Sequence, residues 1–98
     1  MHAPEAAPAP IWSVQRTDDL AWRAWDGDVL LYDARTGDLH YFDAATSAVL
    51  LPLLGRPCAR QELVLAAAEA LDVVADAEAA AMVDEILRTL RWKDLVTD

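Results

Sequence analysis

The sequence predicts an α+β domain: a three-stranded antiparallel meander followed by three helices. Two patterns and one composition lead there. Between residues 21 and 42, short β-branched and aromatic runs alternate with Asp-Gly and Thr-Gly-Asp turns. Beyond residue 44, apolar residues return at three- and four-residue spacing. Alanine, the best helix former, supplies 20 of the 98 residues and points to a helix-rich second half with a modest core.

Residues 1–10, MHAPEAAPAP, hold three of the five prolines and read as a flexible or polyproline-like tail, with His2 solvated. The ordered domain is expected over residues 11–98, beginning with a short extended lead-in, IWSVQ. In LAWRAWDGDVLLYDA, the Asp26-Gly27 pair separates two strand-like runs, a strong hairpin signal because glycine accepts the positive φ of a type I′ turn. The first strand is placed over 21–25 and the second over 28–33. DARTGD forms the next turn, with Gly37 as its positive-φ residue, and the third strand covers 39–42. Strand alternation puts Leu39 and Tyr41 on one face of it, His40 and Phe42 on the other.

Asp43 stands where an N-cap carboxylate can accept a free first-turn N–H. The first helix is expected over 44–54 and stopped by Gly55, with a kink or a tightened last turn at Pro52. The second covers 60–71, its apolar residues Leu63, Val64, Ala67, Ala68 and Leu71 at helical spacing. Cys58 sits near its start, where Ser or Thr would be the usual cap and where a thiol pKa can be lowered. Asp76 caps the third helix, 77–91. Its apolar stripe (Ala79, Met82, Val83, Ile86, Leu87, Leu90) spans about 140°, against roughly 100° for one core face, so it has room for two neighbours. Trp92, Leu95 and Val96 are expected to pack back on the domain. Large aromatics are needed to fill an alanine-rich core, so Trp22 and Trp25 are expected to pack as well, one on the more exposed side.

A chain of 98 residues makes one domain. Its net charge of −9, with seven arginines and one lysine scattered along it, argues against a nucleic-acid partner and favours neutral or basic ones. The single cysteine rules out an intrachain disulfide and fits a reducing cytoplasm. With no apolar run near the roughly 18 residues of a membrane span, the expectation is a soluble, cytoplasmic protein.

Catalytic constellations are missing: no Gly-rich phosphate loop, no GxSxG, no HExxH, no CxxC. A metal would have to recruit His40 with Asp38 and Asp43, far from the motif spacing zinc prefers. The sequence therefore supports neither a metal site, nor a cofactor, nor an enzyme. What it offers is an edge. The third strand is short, aromatic and free of the lysine or proline that discourages pairing, so it is either covered or used by a partner.

WDGDVLLYDARTGDLHYFDAATSAVLLPLLG, with VDEILRTLRWKDLV near the end, resembles the PqqD-like family. Its members are the RiPP recognition elements, which hold leader peptides of ribosomally made, post-translationally modified peptides. The WD pair, Y-x-x-x-x-G-D-x-H and the Asp-capped helix are similar to the branch associated with HPr-kinase-related systems. The resemblance covers about residues 12–96. It implies a winged-helix-like fold and a non-catalytic peptide chaperone, whose leader peptide docks antiparallel to the third strand and against the third helix. Carried onto this chain, the site is Leu39, His40, Tyr41 and Phe42 with Met82, Glu85, Ile86 and Thr89. The implied partners are a precursor peptide and a modifying enzyme, kinase-related in that branch, with the chain a monomer or homodimer. Tyr41-Phe42 is bulkier than the family's usual aliphatic–polar pair, Pro52 interrupts the first helix, and Cys58 replaces a Ser/Thr cap. The competing readings are a winged-helix nucleic-acid binder and a domain that pairs its exposed edge with its own copy.

Overall fold

A computed structural model describes residues 10–98 apart from Arg16; the expected 1–10 tail and His2 therefore lie outside the described residues, Pro10 excepted. The chain opens with β1 (Ile11–Val14), a 3-10 turn (Thr17–Asp19) and a meander of β2 (Leu20–Trp25), β3 (Asp28–Asp33) and β4 (Asp38–Phe42). Helix α1 (Ala44–Gly55) follows, then β5 (Cys58–Ala59), α2 (Arg60–Leu71), α3 (Ala77–Trp92) and β6 (Val96–Thr97). The predicted α+β class, with three antiparallel strands and then three helices, is the one observed.

The turns do what their residues require. Asp26 and Gly27 both have positive φ, 52° and 84°, so the β2–β3 loop is the two-residue type I′ turn that suits the twist of the flanking strands. In the β3–β4 loop Gly37 has φ 79° and donates its N–H to the Asp33 carbonyl at 2.8 Å. The buried Asp33 carboxylate accepts the Arg35 N–H at 3.0 Å, which braces the same loop from inside.

Both aspartate caps form: Asp43 accepts from Thr46 N–H and Asp76 from Ala79 N–H, each at 3.0 Å. Three local expectations give way. Gly55 ends α1 without a left-handed turn; the helix stops because Arg56 is extended at φ −166°, the conformation that Pro57 imposes on the residue before it. Of the two alternatives at Pro52 the tightened last turn does not form, since Arg56 N–H reaches the Pro52 carbonyl four residues back at 3.1 Å. Cys58 lies in β5 and not at the cap of α2, a place taken by Ala59, whose N–H is held by the Glu62 carboxylate at 3.0 Å.

A second sheet, in the order β5-β1-β6, was not foreseen beyond the extended IWSVQ lead-in. It pairs Trp12 with Cys58 and Val14 with Val96, joining both ends of the described chain. Val29, Leu31 and Phe42 from the meander meet Val49, Leu50 and Leu53 of α1, Leu63 and Val64 of α2, and Val83, Leu87 and Leu90 of α3 in one core. Trp22 and Trp25 do not fill it. Each is 48% exposed, because β2 is an edge strand paired only with β3, while α1 packs on β3 and β4. Trp92 does not pack back either and is 88% exposed, while Leu95 and Val96 are buried as expected. Leucine and valine from the helices supply the bulk that the tryptophans were expected to provide.

Candidate functional site

β4 is bonded to β3 on one side and has no strand neighbour on the other among the described residues. Which of its peptide groups face the open side follows from the hairpin turns. In a two-residue turn the closing pair, Trp25 and Asp28, exchanges both main-chain bonds. Bonding direction alternates along a strand, so Asp28, Leu30 and Tyr32 face β2 while Val29, Leu31 and Asp33 face β4. The Ala34 N–H bond to the Asp19 carbonyl, 2.8 Å, continues that phase. Val29 is opposite Phe42, Leu31 opposite His40 and Asp33 opposite Asp38. The main-chain groups of Asp38, His40 and Phe42 are therefore turned inward to β3. Those of Leu39 and Tyr41 point out of the sheet edge.

Side chains follow the second alternation. Phe42 is 5% exposed and lies on the core side, with the His40 ring stacked on it at 5.9 Å between centroids and 6° between planes. Leu39 and Tyr41, 65% and 62% exposed, stand on the outer face. The strand end is anchored by Ser47, whose buried Oγ donates to the Phe42 carbonyl at 3.0 Å. Without that bond a buried hydroxyl would be left unsatisfied, so the junction of β4 and α1 is pinned where the edge ends.

Helix α3 provides the opposite wall, running antiparallel to β4. Thr89 and Lys93 line a depression of about 510 Å3 with Leu39, His40, Tyr41 and Phe42. Met82, Glu85, Ile86 and Thr89 line its continuation, about 260 Å3, beyond Asp43 and Thr46. All eight residues carried over from the resemblance thus border two adjoining hollows, although Phe42 contributes a floor and not an exposed wall. The broad apolar stripe of α3 divides as its width suggested: Ala79, Val83, Leu87 and Leu90 are buried, whereas Met82 and Ile86 are half-buried at its margin. Sequence reasoning missed Thr46 and Lys93, which line the same hollows. Their signal was positional: Thr46 sits in the first turn after the edge strand, and Lys93 lies four residues beyond Thr89, just past the end of α3.

Asp28 accepts a hydrogen bond from the Tyr41 hydroxyl across the hairpin. That bond, then partial desolvation, and more weakly the charges of Asp28 and Asp43 hold the Tyr41 phenol above its ordinary pKa of 10.0. In a Tyr32→Phe background, Asp28→Asn is therefore expected to shift the ultraviolet phenolate titration of Tyr41 to lower pH. An unchanged titration would show that the bond does not persist in solution.

Among the described residues no group of three or more His, Cys, Asp and Glu is placed to hold a metal, and no helix is long and apolar enough to cross a membrane. The Cys58 thiol, 2% exposed, donates to the Arg56 carbonyl at 3.4 Å. Burial raises its pKa, opposite to the lowering a helix start would bring, because the residue sits in a strand under the helix.

No family model matches this sequence, and no curated protein matches it. Among solved structures the fold is similar to TbiB1, determined in complex with the TbiA(beta) leader peptide. The TM-score is 0.67 at 24% sequence identity, over 86% of this chain and 93% of that one. At that identity the likeness is one of fold.

Proposed function

We propose that the chain is a PqqD-like peptide-binding module that holds the leader of a precursor peptide by strand addition to β4 and presents it to a modifying enzyme. The observation that carries this reading is the open β4 edge, with the peptide groups of Leu39 and Tyr41 turned outward beside a half-apolar wall of α3. An extended peptide laid antiparallel to β4 would exchange up to four main-chain hydrogen bonds with those two residues. At roughly 0.5–1.5 kcal/mol net each, they give roughly 2–6 kcal/mol. A micromolar complex needs about 8 kcal/mol. Side chains must therefore supply the remainder: peptide residues turned toward the groove lie over Phe42 beside Thr89, and those preceding them meet Met82 and Ile86 beyond Asp43. Those on the other face lie beside Leu39 and Tyr41. Glu85, Thr89 and His40 are left to set register through polar contacts. That the fold is also that of a protein solved with a leader peptide is consistent with this role, which needs no catalytic group of this chain.

Calorimetric titration with the leader of the precursor encoded beside this gene, against a scrambled copy, tests the reading; equal affinities would refute it. Ile86→Asp is expected to weaken leader binding about tenfold or more while leaving the circular dichroism spectrum nearly unchanged. Global unfolding of that variant would make Ile86 a core residue instead.

A further inference from the structure

Beyond Met82 the groove does not end. Met82 also lines a third hollow, about 460 Å3, with Val73, Val74, Asp76, Glu78 and Ala79. Its exposed valines are unusual for so short a connection between helices. Asp72 adopts a left-handed conformation, φ 56°, at the end of α2, and its N–H and that of Val73 both return to the Ala68 carbonyl. That turn leaves Val73 53% and Val74 75% exposed, unlike the buried valines of the core.

We propose that this hollow is a further subsite of the peptide groove, taking an apolar side chain that lies N-terminal to the docked segment and is accompanied by a basic residue. The inference rests on the strand-addition reading, and polarity then fixes which end of the peptide reaches it. A strand antiparallel to β4 has its N-terminal side at Phe42 and its C-terminal side at Leu39. Preceding residues pass Asp43 and Thr46, reach Met82 and continue toward Val74, each hollow sharing a lining residue with the next. Charge changes along the same path. Glu85, Glu78 and Asp76 border the Met82 end, Asp43 stands between the first two hollows, and Lys93 lies at the Leu39 end. An acidic border on an apolar hollow suits a basic residue next to an apolar one, in keeping with the chain's net charge of −9.

The test uses random dodecapeptides displayed on phage and selected on the full chain, with a selected peptide then made in fluorescent form. Selected sequences are expected to share an apolar residue next to Lys or Arg, N-terminal to the segment that pairs with β4. Val74→Asp should weaken binding about tenfold. Its effect should vanish when the apolar peptide residue is replaced by alanine, the mark of a direct contact. Val74→Ser should act in the same direction without adding charge. Unchanged affinity in both variants, or an equal loss for the parent and alanine peptides, overturns the subsite. Tyr41→Pro separates the two levels of the argument. If it abolishes binding while the Val74 variants do not, only the subsite falls. If it leaves binding intact, or if the selection yields no binder, the strand-addition reading falls with it.

Discussion

Tyr41→Pro is expected to abolish leader-peptide binding while the protein stays folded, and His40→Pro, one residue away, is expected to disrupt the meander itself. Proline removes a backbone donor and is tolerated in a sheet only where that donor faces solvent. The Tyr41 N–H points out of the edge, so its loss removes a bond that only a partner would make. The His40 N–H faces Leu31, so its loss breaks the ladder between β3 and β4. Tyr41→Ala is the control, since it removes the phenol and keeps the amide. Thermal melts followed by circular dichroism report folding, and calorimetry with the leader reports binding. Full affinity in Tyr41→Pro would mean that a bound peptide pairs elsewhere.

Leu87→Ala is expected to cost about 2–5 kcal/mol, the range for emptying a well-packed leucine site. Leu87 is 1% exposed and belongs to the part of the α3 stripe that meets the core. A domain commonly has only about 5–15 kcal/mol in all, so the urea midpoint should fall steeply. Leu65, 53% exposed on α2, is the comparison: its replacement by alanine should change stability by less than about 0.5 kcal/mol. A loss under about 1 kcal/mol at Leu87 would show that the helices close over the vacancy. The neighbouring Ile86→Asp, expected to spare the fold, makes the division of the stripe between core and groove a matter of adjacent residues.

What could be read in the sequence was set locally. The Asp-Gly turn, the two aspartate caps and the extent of β3 and α2 depend on neighbours within a few residues, and those expectations match the structure. The width of the α3 stripe likewise foretold a helix with two faces to serve. The small second sheet was not legible because β5 and β6 are two residues each and take strand form only by pairing with β1. The tryptophans misled for a related reason. Size argues for burial, but β2 is the edge strand that the helices leave uncovered, and no local signal says which strands of a meander a helix will cover. Cys58 was misplaced by a single residue, enough to move it from a helix cap into a strand. For the candidate site, alternation separated Leu39 and Tyr41 from His40 and Phe42. Only the packed helices reveal that Phe42 lies beneath the groove, and only the phase of the pairing reveals which amides are outward.

The two alternations of β4 cannot drift apart. The parity that keeps Phe42 in the core is the parity that turns the amides of Leu39 and Tyr41 outward, and both are set by the register of β4 against β3, closed by the loop in which Gly37 N–H bonds the Asp33 carbonyl. A lineage preserving its core would thereby transmit the main-chain grip unchanged, whatever side chains arise at residues 39 and 41. Diversification of ligand choice would fall instead to the α3 wall and the loop before it, where substitution leaves the register untouched. A one-residue slip of β4 against β3 would forfeit grip and core in the same event, so the length of the β3–β4 loop should be under stricter selection than any residue that touches the ligand.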